Sequence, residues 1–237
     1  MSAPRAGGRP VALARLAGLS ELPRWQLASA IAAVVGLVGF AAVTVAIFGH
    51  GPLLSVDLSV AHTFARNRQH WLIRVLAAET SSAAFFTAAS FLLLVSAVVS
   101  VVDRAWRPLV LGLTAVALVG LSVATGKQVI GRSRIPFAAD TFGEGGTSYP
   151  SGHTTTAVVV AGCLVLLLGR RMSRRVRRLA LLAVALYAFV TGFSRIYLHD
   201  HWFTDVLAGW LLGTAILCLL ALLFVRDDWV RQPPTRA

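Results

Sequence analysis

Charge is scarce in this chain and unevenly signed. Only 14% of the 237 residues are Asp, Glu, Lys or Arg, with ten acidic against 22 basic groups. The few carboxylates form no Asp/Glu cluster suited to Mg²⁺, so no metal and no cofactor is expected. Cysteine is nearly missing: Cys163 and Cys218 both fall inside apolar runs, which excludes a disulfide framework and makes them buried small hydrophobes. Lysine is reduced to Lys127. A formal net charge of +12 would suggest nucleic acid as the partner of a soluble protein. Here the arginines cluster in loops between apolar runs rather than in one stripe with interleaved aromatics. That distribution suits topology and anionic lipid head groups, and no nucleic-acid partner is expected. No sequence repeat stands out.

The chain does have long apolar stretches: 57% of residues are hydrophobic and the mean hydropathy is +0.73. Six runs stand out, Trp25–Phe48, Ala83–Val102, Pro108–Thr125, Thr154–Gly169, Leu179–Tyr197 and Trp202–Val225. A helix rises 1.5 Å per residue, so about 20 residues cross the hydrocarbon core. The first run is too long for a signal-peptide core, and Gly49-His50-Gly51-Pro52 after it does not resemble a cleavage site, so it is read as a retained span. Between the first two runs, Gly51–Ser82 mixes Leu53, Leu54, Val56, Leu58, Val60 and Phe64 with Asp57, His62, Arg66 and Arg68. This pattern predicts an amphipathic helix in the interface and a helical lead-in at Trp71–Ala78. The expected fold class is all-α: an integral membrane protein with six transmembrane helices in one bundle plus an interfacial amphipathic helix. Residues 1–24 and 226–237 are read as cytoplasmic tails flanking a transmembrane domain at 25–225. Within the first tail, Val11–Leu19 is a candidate surface-lying turn.

Basic residues set the expected orientation. With both termini on one side, that side carries fifteen of the 22 Lys and Arg, including the Arg170–Arg178 cluster, and is cytoplasmic by the positive-inside bias. The other side holds Arg66, Arg68, Arg74, Lys127, Arg132, Arg134 and Arg195.

Three of those seven cations neighbour histidine motifs. His201 and Asp205 are four residues apart, a spacing that shares one face of a helix. A carboxylate accepting from one imidazole nitrogen leaves the other unprotonated and nucleophilic. The plainer reading is an interfacial histidine beside a helix-start carboxylate favoured by the dipole. His199 stands off the helical face of Asp205, and it and Asp200 are read as supporting or solvated. Pro150-Ser151-Gly152-His153 follows a glycine-bearing loop and opens the fourth run. There a helix N-terminus, Gly152 and the Ser151 hydroxyl suit an anion, and His153 is placed as a general acid. A proline–serine helix start with an incidental histidine is the alternative. Lys127 and Arg134, seven apart, lie two turns along one face if that segment coils, and Arg195 ends the fifth run. Guanidinium groups bind phosphate oxygens bidentately and lysine adds a point charge, whereas any one of these cations taken singly would be a snorkelling side chain. Because all three neighbour histidine motifs on one side, they point together to phosphoryl transfer at a membrane surface.

Lys-x6-Arg, then Pro-Ser-Gly-His, then Ser-Arg-x5-His-x3-Asp resemble the three signature segments of the type 2 phosphatidic acid phosphatase superfamily, which also includes vanadium-dependent haloperoxidases. The likeness runs from Lys127 to Asp205, and the six-span layout extends it. One departure is visible: Ile135 separates Arg134 from Pro136, where the family usually has Arg-Pro. The resemblance implies a metal-independent lipid phosphatase at the extracytoplasmic face. In it His201 attacks phosphorus to give a phosphohistidine, Asp205 orients it, and His153 protonates the leaving oxygen. Lys127, Arg134, Ser151, Gly152 and Arg195 hold the phosphate. The implied partners are the bilayer and a lipid phosphate: a polyprenyl diphosphate or phosphate, phosphatidylglycerophosphate or phosphatidic acid. Phosphotransfer to another acceptor, a lipid-linked sugar phosphate as substrate, and a non-catalytic binder or transporter stay as alternatives. A peroxidase is disfavoured by the small soluble mass. The oligomeric state does not follow from the sequence.

Overall fold

The computed structural model describes residues 23–49, 52–135 and 146–225. The residues of the two tails, 1–22 and 226–237, fall outside these, as do Asp140 and Glu144 in the loop before the Pro-Ser-Gly-His segment. Eight α-helices occur among the described residues: α1 Arg24–Phe48, α2 Leu53–Arg66, α3 His70–Ser82, α4 Phe85–Asp103, α5 Arg107–Ile130, α6 Gly152–Leu168, α7 Arg174–Tyr197 and α8 Phe203–Phe224. All but α2 and α3 are long and apolar enough to span a membrane, α6 together with the 3₁₀ turn Gly169–Arg171 that extends it. The only β-pairing among the described residues is an isolated bridge between Ser133 and Thr147.

Element ends follow local chemistry. Pro108 occupies the first turn of α5, where its missing N–H costs nothing. Gly131 closes that helix in the left-handed conformation at φ 60°. The α7 helix begins at Arg174, five residues before the apolar run, because the Ser173 side chain caps the Val176 N–H at 3.3 Å. Arginine is itself a good helix former.

The central helix is α6. It packs on α4, α5, α7 and α8, while α1 lies along α8. Leu92, Leu111, Ala115, Val119, Val159, Cys163 and Leu220 fill the core among α4, α5, α6 and α8. The outer faces stay apolar, with Val38 and Val45 on α1, Phe86 and Val101 on α4 and Leu182 and Leu186 on α7 all exposed, as lipid-facing surfaces are. Small residues set the closest approaches. A Cβ on Gly209 would sit 2.9 Å from the Ser151 carbonyl oxygen and 2.9 Å from Thr154 Cβ, and one on Gly213 would sit 2.9 Å from Val158 Cβ. This pair therefore seats α8 on α6 within one molecule, as expected of a small-xxx-small stripe. Gly209→Ala is expected to destabilise the protein by about 1–3 kcal/mol, because a backbone oxygen cannot yield. A melting curve in detergent checks this, and an unchanged midpoint would contradict the close approach.

The segment read as interfacial splits into α2 and α3. The residues that α2 buries are Asp57 and Ala61, while Val56 and Leu58 remain exposed. Its inner face thus carries a buried carboxylate, and Phe64 packs inward against Phe193 and Tyr197.

Candidate active site

The site gathers at one end of α5, α6, α7 and α8. It is built by two tight connections. After α7, the chain turns through Leu198–Trp202 with His199 at φ 65°, and the Arg195 carbonyl accepts from the N–H groups of Asp200 (3.1 Å) and His201 (3.2 Å). After α5, Gly131 turns the chain, and the return at Thr147 and Ser148 bonds back to Arg132 and Ser133. The Ser148 N–H donates to the Arg132 carbonyl at 2.8 Å.

His201 is 1% exposed and Asp205 is fully buried, with Nδ1 of the imidazole 3.5 Å from Asp205 Oδ2. The two do not share a helical face, because α8 begins at Phe203; the turn brings them together instead. At 3.5 Å the contact is longer than a formed hydrogen bond, as is common before substrate binds. The Asp205 carboxylate is fixed from two other directions: Oδ2 accepts from the Trp202 N–H at 3.0 Å and Oδ1 from Arg132 Nη1 at 2.6 Å. With Nδ1 toward the carboxylate, Nε2 is the nitrogen left to face a substrate.

Burial pushes the His201 imidazole down to about 4, with Arg195 and Arg134 acting in the same direction and Asp205 opposing them. The ring is neutral at pH 7, the form that a nucleophile requires. The unfolded chain binds this proton near pH 6.5, so His201 removes stability as pH falls from there toward 4. Selective ¹³C-histidine NMR, assigned with His201→Gln, is expected to show a midpoint near 4, and a midpoint at or above 6.5 would contradict the burial.

Arg195 is 1% exposed. Its Nη2 lies 3.2 Å from Asp200 Oδ2 and its Nη1 donates to Thr80 Oγ1 at 3.4 Å. Arg134 Nη1 donates to the Asp200 carbonyl at 2.6 Å. Arg134 is not two helical turns from Lys127, since α5 ends at Ile130 and Gly131 reverses the chain. Lys127 sits in the last turn of α5 with Nζ donating to the Thr147 carbonyl at 3.1 Å, and Thr147 pairs with Ser133 beside Arg134. Ser151 is the N-cap residue of α6. Its N–H donates to the Asp205 carbonyl at 3.1 Å, and its hydroxyl lies 2.9 Å from Thr154 Oγ1. Gly152 and His153 follow in the first turn, half-buried.

The three sequence segments therefore adjoin, and hydrogen bonds link Ser151 to Asp205, His201 to Arg195 and Arg134 to Asp200. His199 and Asp200 are not solvated. Both are buried, with His199 Nδ1 3.1 Å from the Tyr197 carbonyl and Nε2 3.0 Å from that of Ala61, and burial lowers the affinity of His199 for a proton. The sequence reading overlooked Arg132 and Asp57. The only local signal for Arg132 was a second arginine two residues before Arg134. Asp57 stood out only as the one acid in the amphipathic stretch that became α2. Among the described residues, no group of three or more His, Cys, Asp or Glu is arranged to hold a metal ion.

Residues 107–229 match the model of the PAP2 superfamily. The chain belongs to that superfamily. Its fold is similar to the crystal structure of a transmembrane PAP2-type phosphatidylglycerolphosphate phosphatase from Bacillus subtilis, with TM-score 0.71 and 27% identity, covering 79% of this chain and 93% of that one. The structure of Aquifex aeolicus LpxE shares the fold at TM-score 0.53 and 22% identity, over 71% of this chain and 94% of that one. Among curated relatives, phosphatidylglycerophosphatase B of B. subtilis is 28% identical over 171 residues, 70% of this chain and 82% of that protein. A lipid A 1-phosphatase of Porphyromonas gingivalis is 36% identical over 117 residues. The chain spans 23% of the latter's length, and the match takes in 48% of this chain. This PAP2 protein is accordingly a multi-pass membrane protein carrying the family's phosphatase core.

Proposed function

We propose that this PAP2 protein hydrolyses the phosphate or diphosphate of a membrane lipid through a phosphohistidine. The reading is supported above all by one arrangement: a buried, neutral His201 backed by Asp205, with Arg195 and Arg134 close enough to depress its proton affinity. Phosphoryl transfer asks mainly for alignment and for charge stabilisation of the in-line arrangement. His201 Nε2 attacks phosphorus, and a P–N bond forms as the P–O bond to the lipid breaks. His153 gives its proton to the departing oxygen. Water then attacks the phosphohistidine, His153 takes up a proton, and inorganic phosphate leaves with His201 neutral again. Lys127, Arg134, Ser151, Gly152 and Arg195 hold the phosphate oxygens.

Residues 25–225 form the catalytic domain. Both tails, 1–24 and 226–237, face the cytoplasm and the site opens on the other side, a reading that rests on the arginine bias. Phosphatidylglycerophosphate, phosphatidic acid and polyprenyl phosphates or diphosphates are the substrate candidates. The names of the B. subtilis relatives favour the first of these. An apolar cleft of about 410 Å³ between α4, α6 and α7, lined by Phe91, Ala157, Val160 and Leu164 among others, begins one helical turn beyond His153 and suits a lipid tail.

Purified protein is expected to release phosphate from one or more of these lipids at an undiminished rate with EDTA present. Loss of activity to chelator, restored by added Mg²⁺, would overturn the metal-free reading. Transfer of label to an alcohol in place of water would turn the assignment to a phosphotransferase.

A further inference from the structure

One ion-pair network lies behind the site, and two of its members, Arg132 and Asp57, carry no role in the sequence reading. Arg132 is 9% exposed and forks between two buried carboxylates. Its Nη2 donates to Asp57 Oδ2 at 2.6 Å, and its Nη1 donates at 2.6 Å to both Asp205 Oδ1 and Thr204 Oγ1. Asp57, 1% exposed on α2, also accepts from the Thr204 N–H at 2.9 Å through Oδ1 and from the Thr204 hydroxyl at 2.7 Å through Oδ2. One carboxylate from a connecting helix thus caps the start of α8 and anchors the guanidinium that grips Asp205. The Trp202 ring flanks that guanidinium at 5.3 Å, and the Trp202 indole N–H is tied to the Ser133 carbonyl at 2.9 Å. A planar, five-donor group held on this many sides has a single pose.

We propose that Arg132 and Asp57 are positioning residues that act through Asp205 to set the orientation and basicity of the His201 imidazole. The proposal rests on His201 being the nucleophile. Two buried carboxylates share one guanidinium, so the positive charge that Asp57 takes from Arg132 is charge withheld from Asp205. The more of it Asp205 receives, the less that carboxylate stabilises an imidazolium at His201. Three charged groups bear on the ring, Asp205 from α8, Arg195 from α7 and Arg134 from the segment after α5, and Asp200 holds Arg195 through its carboxylate and Arg134 through its carbonyl. Arg132 and Asp57 alter only the first of these. The second contact of α2, the Ala61 carbonyl with the ring of His199, lies one turn from Asp57 on the same face and docks the helix against the catalytic turn. The α2 helix is therefore a working part of the site.

The two residues give pH effects of opposite sign, which a purely structural role does not. Removing the Arg132 charge leaves Asp205 more strongly negative toward His201, so Arg132→Gln moves the acid limb of kcat to higher pH. Asp57→Asn releases Arg132 wholly to Asp205 and moves the limb to lower pH. Each shift is expected to be about 0.5–1 pH unit, with kcat at the optimum down about 10- to 100-fold in Arg132→Gln, as when other orienting partners are removed. The full-length protein in detergent is assayed with dioctanoyl phosphatidic acid and dioctanoyl phosphatidylglycerophosphate, and all variants share the titration of the substrate. Rates are expressed per folded molecule, from melting curves. Opposed shifts uphold the inference. Acid limbs that coincide with wild type, or that move in the same direction in both variants, overturn it. If Arg132→Gln does not fold, the near-isosteric Asp57→Asn decides alone: a downward shift supports the inference, and an unmoved or raised limb refutes it. His201→Ala is run in parallel. Activity surviving in His201→Ala would sink the nucleophile itself, whereas a dead His201→Ala beside unshifted Arg132 and Asp57 variants would sink only the network.

Discussion

Phosphate release from a lipid phosphate is expected to fall by about 10⁴-fold or more on replacing His201 with alanine, the scale seen when a nucleophile is removed from a working constellation. The imidazole is 1% exposed, and its backbone N–H is held by the Arg195 carbonyl at 3.2 Å. The main-chain bonds of the α7–α8 turn, from the N–H groups of Asp200 and His201 to the Arg195 carbonyl, do not involve the imidazole, so the variant should fold. Rapid quench with ³²P-labelled substrate gives the sharper measurement. Wild type should yield an acid-labile, base-stable phosphoprotein, and His201→Ala none. In contrast, His153→Ala should still accumulate label with a substrate whose leaving group needs no proton, because there the first step proceeds without an acid. A labelled, active His201→Ala protein would remove the basis for the mechanism proposed above.

Asp205→Asn is expected to lower kcat by about 10³- to 10⁴-fold, the scale seen when the carboxylate behind a catalytic histidine becomes an amide. The structure gives two reasons. Asp205 Oδ1 accepts from Arg132 and Oδ2 from the Trp202 N–H, with His201 Nδ1 beside it. An amide has one acceptor oxygen, so an NH₂ group must face either the guanidinium or the imidazole and the Trp202 N–H. Facing Arg132, it buries a cation without its second partner. Facing His201, it donates to Nδ1 and places the ring proton on Nε2, where attack must occur. The α8 cap weakens as well, by about 0.5–2 kcal/mol, so melting curves must accompany the kinetics. A variant that is destabilised yet retains kcat would make Asp205 a helix cap and nothing more.

The spans could be read from the sequence because their signal is local. Each apolar run became a helix, and errors fell at the ends. The third run was stopped at Thr125, but α5 continues through Gly126 and Lys127 to Ile130, since a lysine with a long aliphatic stem ends a span without breaking its helix. The fifth began too late, because Arg174–Arg178 read as a charged loop although Ser173 caps them into the first turns of α7. The motifs of the candidate site were likewise contiguous strings of residues. Their mutual geometry was harder to read. A helix-spacing argument joined His201 to Asp205 and Lys127 to Arg134, and in neither pair does one helix carry both residues.

Sequence alone determined that this chain is an all-α membrane protein with six spans, and which scarce polar groups gather at one end of them. Hydrophobic runs and charge-free stretches express a solvent preference residue by residue, and that preference needs no partner to be legible. Only the tertiary structure decided how the site is supported. Arg132 meets Asp57 across 75 residues and Asp205 across 73, and no periodicity records such a meeting. A buried carboxylate and a buried guanidinium are costly apart and tolerable together. That Arg132 keeps its charge inside the protein is settled by the packing of α2 against the start of α8.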